Sequence, residues 1–140
     1  MTEEMTDIKK MEELFKKYRM LKNEIEGINI SIKHIGQRGM EYSGMPQATG
    51  ISDKVQKNYN ELEKLKREKF DKEIEIEQVD NMLKLLTEEE YKIIKLRYFD
   101  QLEIVKVASK TNMHINTYYN KRAIIFDKII PYAKYFKLIK

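Results

Sequence analysis

Apolar residues return every seven positions from Met11 to Ile35, and a chain with that repeat has little choice but a long helix with one apolar seam. Met11, Tyr18, Ile25 and Ile32 form one register; Leu14, Leu21, Ile28 and Ile35 form the other. Four heptads with both seam positions apolar predict a coiled-coil-like helix over about residues 6–35. Thr6 or Asp7 is placed to cap it, and Gly36 to stop it.

Four of the five glycines (Gly36, Gly39, Gly44, Gly50) and Pro46 fall between 36 and 50, which predicts a Gly-rich loop over 36–51. Ser52 then reads as an N-cap, with Ile51 placed to staple the first turn. A second helix is expected over about 53–86. Val55, Leu62, Ile76 and Leu83 share one seam position, and Leu65, Val79 and Leu86 the other. The seam breaks where Lys69 and Lys72 take core slots and Phe70 and Ile74 shift the stripe, which reads as a phase change in the packing or as the point where the partner helix ends. Residues 1–86 thus read as an antiparallel helical hairpin. Leu21, Ile25, Ile28 and Ile32 are expected to hold its seam or to mediate homodimerisation, since two helices alone leave apolar seam exposed.

Thr87-Glu88-Glu89-Glu90 is a capping box opening a short helix with Tyr91, Ile94, Leu96 and Phe99 on its apolar side and an end near Asp100 and Gln101. From here the charge changes sign. Residues 1–90 carry 16 Lys and Arg against 20 Asp and Glu; residues 91–140 carry 11 against 3, giving the whole chain its net +4. A basic C-terminal third behind an acidic body suits a polyanion partner, because neutralising phosphates supplies affinity independent of sequence.

The stretch from Leu102 to Tyr119 has the spacing of a helix-turn-helix. Val107 and Ala108 provide an apolar face with a small close-approach residue. Asn112 tolerates the left-handed turn, and Met113 is the apolar plug. Thr117 and Tyr118 are expected to open a second helix continuing through Phe126 to Ile129. Such a helix lies in the major groove of duplex DNA and reads bases with its first turns. Asn116, Tyr119, Asn120 and Lys121 are the expected base contacts, Asn suiting adenine and Lys guanine. Lys106, Lys110, Arg122 and Lys128 are the expected phosphate contacts. The competing reading of the same residues is a small three-helix bundle with a solvated basic face.

The run from Leu86 and Thr87 through Ile94, Leu96, Arg97, Tyr98 and Phe99, then Ala108, Met113, Thr117 and Arg122-Ala123, resembles region four of bacterial sigma factors. It is most similar to the sigma-like ArpU/RinA-type late-transcription regulators of phages and prophages. The upstream heptad helix, Gly44-Met45-Pro46 and Ser52-Asp53-Lys54-Val55 extend the likeness over most of the chain. Gln101 stands where the family has glycine, His114 where it has a serine cap, and Thr111 where leucine is common. The resemblance implies an all-α protein: a hairpin over 1–86, then a helix-turn-helix domain over 87–140. It implies a DNA-binding transcriptional regulator that contacts RNA polymerase and is not an enzyme. Nothing resembles the promoter-melting region of a full sigma factor.

Two other functions fit the same pattern: a coiled-coil interaction protein, and a phage DNA-packaging subunit. The two histidines, His34 and His114, lie far apart and read as surface or capping residues, and no cysteine offers a thiolate, so no metal or cofactor is expected. The acids Glu61, Glu63, Glu68, Asp71, Glu73, Glu75 and Glu77 alternate with lysines on a solvated face, which gives paired catalytic carboxylates no burial. No glycine precedes a phosphate-cradling Gly-Lys-Ser/Thr run. No apolar run approaches the ~18 residues of a membrane span, and no leader pattern opens the chain, so a cytoplasmic protein is expected. The aromatic, basic tail from Tyr132 to Lys140 after Pro131 is expected to pack back on the small domain as a short helix, the other reading being a partner-docking or phosphate-touching appendage.

Overall fold

The computed structural model describes residues 6–43 and 53–140. Among them are helices and turns and no strand: α1 (Asp7–Ser43), α2 (Asp53–Leu83), α3 (Glu88–Ile94), a π turn continuing α3 (Lys95–Phe99), α4 (Ile104–Lys110) and α5 (Ile115–Tyr135). Helices α1 and α2 form the antiparallel hairpin, and α3 to α5 the small helical domain after it. The Thr6 hydroxyl caps α1 by accepting the Lys9 N–H at 3.2 Å. Gly36 and Gly39 do not stop α1, which continues to Ser43. A glycine costs a helix only about 1 kcal/mol against alanine, less than the roughly 1.5–3 kcal/mol that burying a side chain such as Ile35 contributes. Gly44, Pro46, Gly50 and the expected Ile51 staple and Ser52 cap lie outside the described residues.

Two compact units divide the chain, and the division does not fall at 86/87 as the sequence suggests. One is Leu21–Ile74; the other joins Met1–Met20 to Glu75–Lys140. In the first, Leu21, Ile28 and Ile35 are buried, with Ile25, Ile32, Leu62 and Leu65 half-buried. The expected shift of the stripe does not occur: Phe70 is 62% exposed and Ile74 42%. Lys69 and Lys72 keep the seam positions half-buried, and the Lys72 ammonium reaches Glu24 at 2.6 Å. A lysine stem can cover apolar surface while its head finds a partner, so the register holds through the break.

The second unit has a shared core, which is why the boundary moves. Met11, Leu14, Phe15 and Tyr18 of α1 and Val79, Met82 and Leu83 of α2 join Ile93, Ile94, Val107, Tyr118, Phe126 and Ile129 in one cluster. Phe15, absent from the heptad seam, is fully buried at its centre. Its ring lies 5.2 Å from Tyr98, 5.8 Å edge-on from Phe99 and 6.4 Å from Phe126. The π turn makes this possible: the Asp100 N–H reaches back to the Lys95 carbonyl at 2.8 Å. That wider turn lets Leu96, Tyr98 and Phe99 all pack against the core cluster. Gln101, at φ 60°, then ends the turn in the left-handed region that glycine adopts without strain. The tail also departs from expectation. Helix α5 runs through Pro131 to Tyr135, because Ile129 and Ala133 on either side are both fully buried and hold the axis across the missing N–H.

Glu90 is the buried charged residue of this core, 7% exposed. Its carboxylate accepts the Thr87 N–H at 2.9 Å, closing the capping box, and takes the Lys128 ammonium at 2.7 and 2.8 Å. It thereby ties the start of α3 to the middle of α5. Burial pushes this carboxyl up, but Lys128 and Thr87 outweigh burial and hold it below the usual glutamate value. Such a group adds stability above its unfolded pKa of about 4.3, and that stability is lost as pH falls through the folded value.

Two outcomes follow for denaturation experiments. Phe15→Ala should lower the unfolding free energy by about 3–5 kcal/mol, measured by urea titration at pH 7. Glu90→Gln should cost about 1–2 kcal/mol at pH 7, given that Lys128 is part-exposed. The same variant should lose less stability than the parent protein as pH falls below the ordinary glutamate value of about 4.3, because it has no carboxyl there to protonate. An equal acid loss in both proteins would mean Glu90 is not held in its charged form.

Candidate nucleic-acid interface

Helix α4, its turn and the start of α5 form the helix-turn-helix. Val107 and Ala108 bury the inner face of α4, Ala108 being small enough to let α5 approach. The Thr111 hydroxyl donates to the Val107 carbonyl at 2.7 Å and helps close the helix. Asn112 takes φ 54°, and the Met113 N–H returns to the Ala108 carbonyl at 2.9 Å, the bond pattern of a left-handed helix end. Met113 then packs against the core as the plug. His114 caps α5 through its ring Nδ1, which accepts the Asn116 N–H at 3.2 Å. Helix α5 therefore opens at Ile115, two residues before the expected Thr117, because an imidazole nitrogen serves where a serine oxygen would.

That earlier start decides which way each side chain faces. Tyr118, Ile125, Phe126, Ile129 and Ala133 turn inward. Asn116, Thr117, Tyr119, Asn120, Ala123 and Ile124 are exposed. Asn116 and Asn120 stand one turn apart on the same outward stripe. The Tyr119 ring is braced by the Tyr118 ring at 5.4 Å and by the Arg122 guanidinium at 5.1 Å over its face. Lys121, also expected to read bases, is half-buried with its ammonium 3.8 Å from Glu89.

The expected phosphate contacts separate in the same way. Lys106 and Lys110 are exposed one turn apart on α4. Arg122 is half-buried beside Tyr119. Lys128 is engaged by Glu90 and acts within the domain. The hairpin seam residues Leu21 and Ile28 are buried, and Ile25 and Ile32 half-buried, within their own unit.

Sequence reasoning missed the acids' part in this arrangement. Glu89 and Glu90 read as helix-dipole and capping residues, yet each also holds a lysine of α5. Their spacing on α3 gives no sign of it, because the pairing depends on how α3 and α5 cross. It also missed Val105 and Ile124, which are 66% and 51% exposed and put apolar surface on the outer faces of α4 and α5.

Among the described residues, no group of three or more His, Cys, Asp or Glu could hold a metal ion, and no helix is long and apolar enough to cross a membrane. The chemistry this surface offers is hydrogen bonding from amide side chains, aromatic contact and cationic charge. Comparison with protein-family models, with curated proteins and with solved structures finds no match for this chain.

Proposed function

We propose that this protein is a DNA-binding transcriptional regulator, sigma-like and of the phage or prophage ArpU/RinA kind, that reads duplex DNA through α4 and α5. One observation carries the reading: the first two turns of α5 present Asn116, Tyr119 and Asn120 outward, beside exposed Lys106 and Lys110 on the preceding helix. Asn pairs bidentately with adenine in the major groove, and lysines on the flanking helix suit phosphates. With Lys121 beside Glu89, base reading falls to the two asparagines and Tyr119, and Lys121 assists only if that ion pair opens. The protein acts by binding, in the cytoplasm, as a homodimer and with RNA polymerase as a second partner; no catalysis or cofactor enters.

A coiled-coil adaptor would leave the asparagine face idle, and this separates it from the regulator; a packaging subunit, which also joins a helix-turn-helix to a coiled coil, would instead form a ring in size-exclusion chromatography. Anisotropy titration against duplex DNA from the gene's own upstream region should show binding that weakens with salt. Phosphate contacts from Lys106, Lys110 and Arg122 give a slope of log K against log salt of about −3 per copy, at about 0.9 per contact. Lys106→Ala should reduce that slope by about 1 and weaken binding to every sequence alike. Asn120→Ala should leave the slope unchanged and cost about 1–3 kcal/mol on the preferred site alone. Binding insensitive to both substitutions would overturn this assignment.

A further inference from the structure

Helix α2 carries a second apolar stripe besides the one it turns toward α1. Val55, Tyr59, Phe70 and Ile74 are 41%, 59%, 62% and 42% exposed, and all four lie in the Leu21–Ile74 unit. At 100° per residue they fall on one side of the helix, about a third of a turn from the Leu62–Leu65–Lys69–Lys72 seam. Exposed Glu63 and Lys66 lie on the same stripe between the two apolar pairs. Large aromatic side chains left on a helix that already buries another face are a feature of interaction surfaces.

The order of the stripe identifies what covers it. Val55, Tyr59, Glu63, Lys66, Phe70 and Ile74 are spaced four, four, three, four and four residues apart. Read from either end, the stripe runs aliphatic, aromatic, charge, charge, aromatic, aliphatic, and the two central charges are opposite. A surface with that symmetry is complementary to its own antiparallel copy. Laid against a second α2 about a two-fold axis between Glu63 and Lys66, Val55 meets Ile74, Tyr59 meets Phe70, and Glu63 meets Lys66. Each pairing occurs twice, as an isologous contact requires.

We propose that the protein homodimerises through this α2 stripe, antiparallel, with the two-fold axis between Glu63 and Lys66. The partner is a second copy of this chain. The seam residues Leu21, Ile25, Ile28 and Ile32 serve each hairpin internally. Tyr59 and Phe70 are the anchors, because aromatic residues at the middle of an interface carry most of its energy. The stripe is about 30 Å long, which makes a small interface against the roughly 1,200–2,000 Å² of stable pairs, so the dimer dissociates on dilution.

Sedimentation velocity across a hundredfold range of concentration tests this on the whole chain, with no DNA present. A monomer–dimer equilibrium is expected. Phe70→Glu should give a monomer throughout, with helicity by circular dichroism unchanged because the position is exposed. Glu63→Lys alone should set two pairs of cations face to face and weaken the dimer at least tenfold; Lys66→Glu alone should do the same with anions. The two together should restore it to within about threefold of the parent, since their intrahelical effect is only a few tenths of a kcal/mol. A monomer at every concentration would overturn the proposal, as would a dimer indifferent to Phe70→Glu or a double variant no tighter than the singles. DNA binding is read separately, so a monomer would overturn this inference and the homodimer of the regulator reading while leaving its DNA contacts to stand or fall on the titration.

Discussion

The Phe15 ring is the point on which the C-terminal unit depends. Residues 87–140 alone are 54 residues in three helices and a π turn, a length at which a chain buries only about 60% of its surface and stability is marginal. The ends of the two long helices complete that core, and Phe15 is the side chain that reaches Tyr98, Phe99 and Phe126 together. The hairpin is therefore no appendage to a finished domain. Its open end is part of the wall against which α3, the π turn and α5 assemble, and this is why the division of the chain cuts through both long helices.

Around that apolar centre, polar contacts set the direction of α5. Glu90 closes the α3 cap on one side and holds Lys128 on the other, so a local capping device also fixes a tertiary crossing. Tyr132 of α5 donates to Gln78 and accepts from Asn81, and Lys134 pairs with Asp7. Contacts of this kind hold a helix and the side chains it presents in one position. These contacts lie on the inner side and toward the C-terminal end of α5. The outward stripe from Asn116 to Asn120 is left clear.

How much of this was legible depended on whether the signal was local. The heptads of α1, the Thr87–Glu90 box, the Asn112 turn and the Met113 plug are patterns within a few residues, and the structure has each of them. From the sequence α5 opens at Thr117, two residues late, although His114 is already offered as a surface or capping residue, because an imidazole nitrogen is a rarer cap than a hydroxyl. Gly36 misled because a single glycine is a weak breaker inside a helix with a buried seam. Phe15, the π turn and the Lys128–Glu90 pair left no mark, since each depends on elements from distant parts of the chain. Phe70 and Ile74 show in the sequence as a break, read as a phase change or as the end of the partner helix, whereas they are exposed on a second side of α2.

Charge shows most plainly why composition overstates a binding surface. The last third of the chain has a large cationic excess, yet four of its lysines are engaged by acids: Lys95 by Asp100, Lys121 by Glu89, Lys128 by Glu90 and Lys134 by Asp7. Glu89 and Glu90 of α3 and Asp7 of α1 belong to the acidic part of the chain, so folding sets part of the cationic excess beside acids. What remains facing outward near α5 is a pair of lysines on α4 and a face of amides and an aromatic ring. On the proposed reading, cations on a surface of that kind position a polyanion, and discrimination has to come from hydrogen-bond geometry. Such geometry is worth most when two copies present it together, because joining two weak sites raises the affinity of both without any new contact.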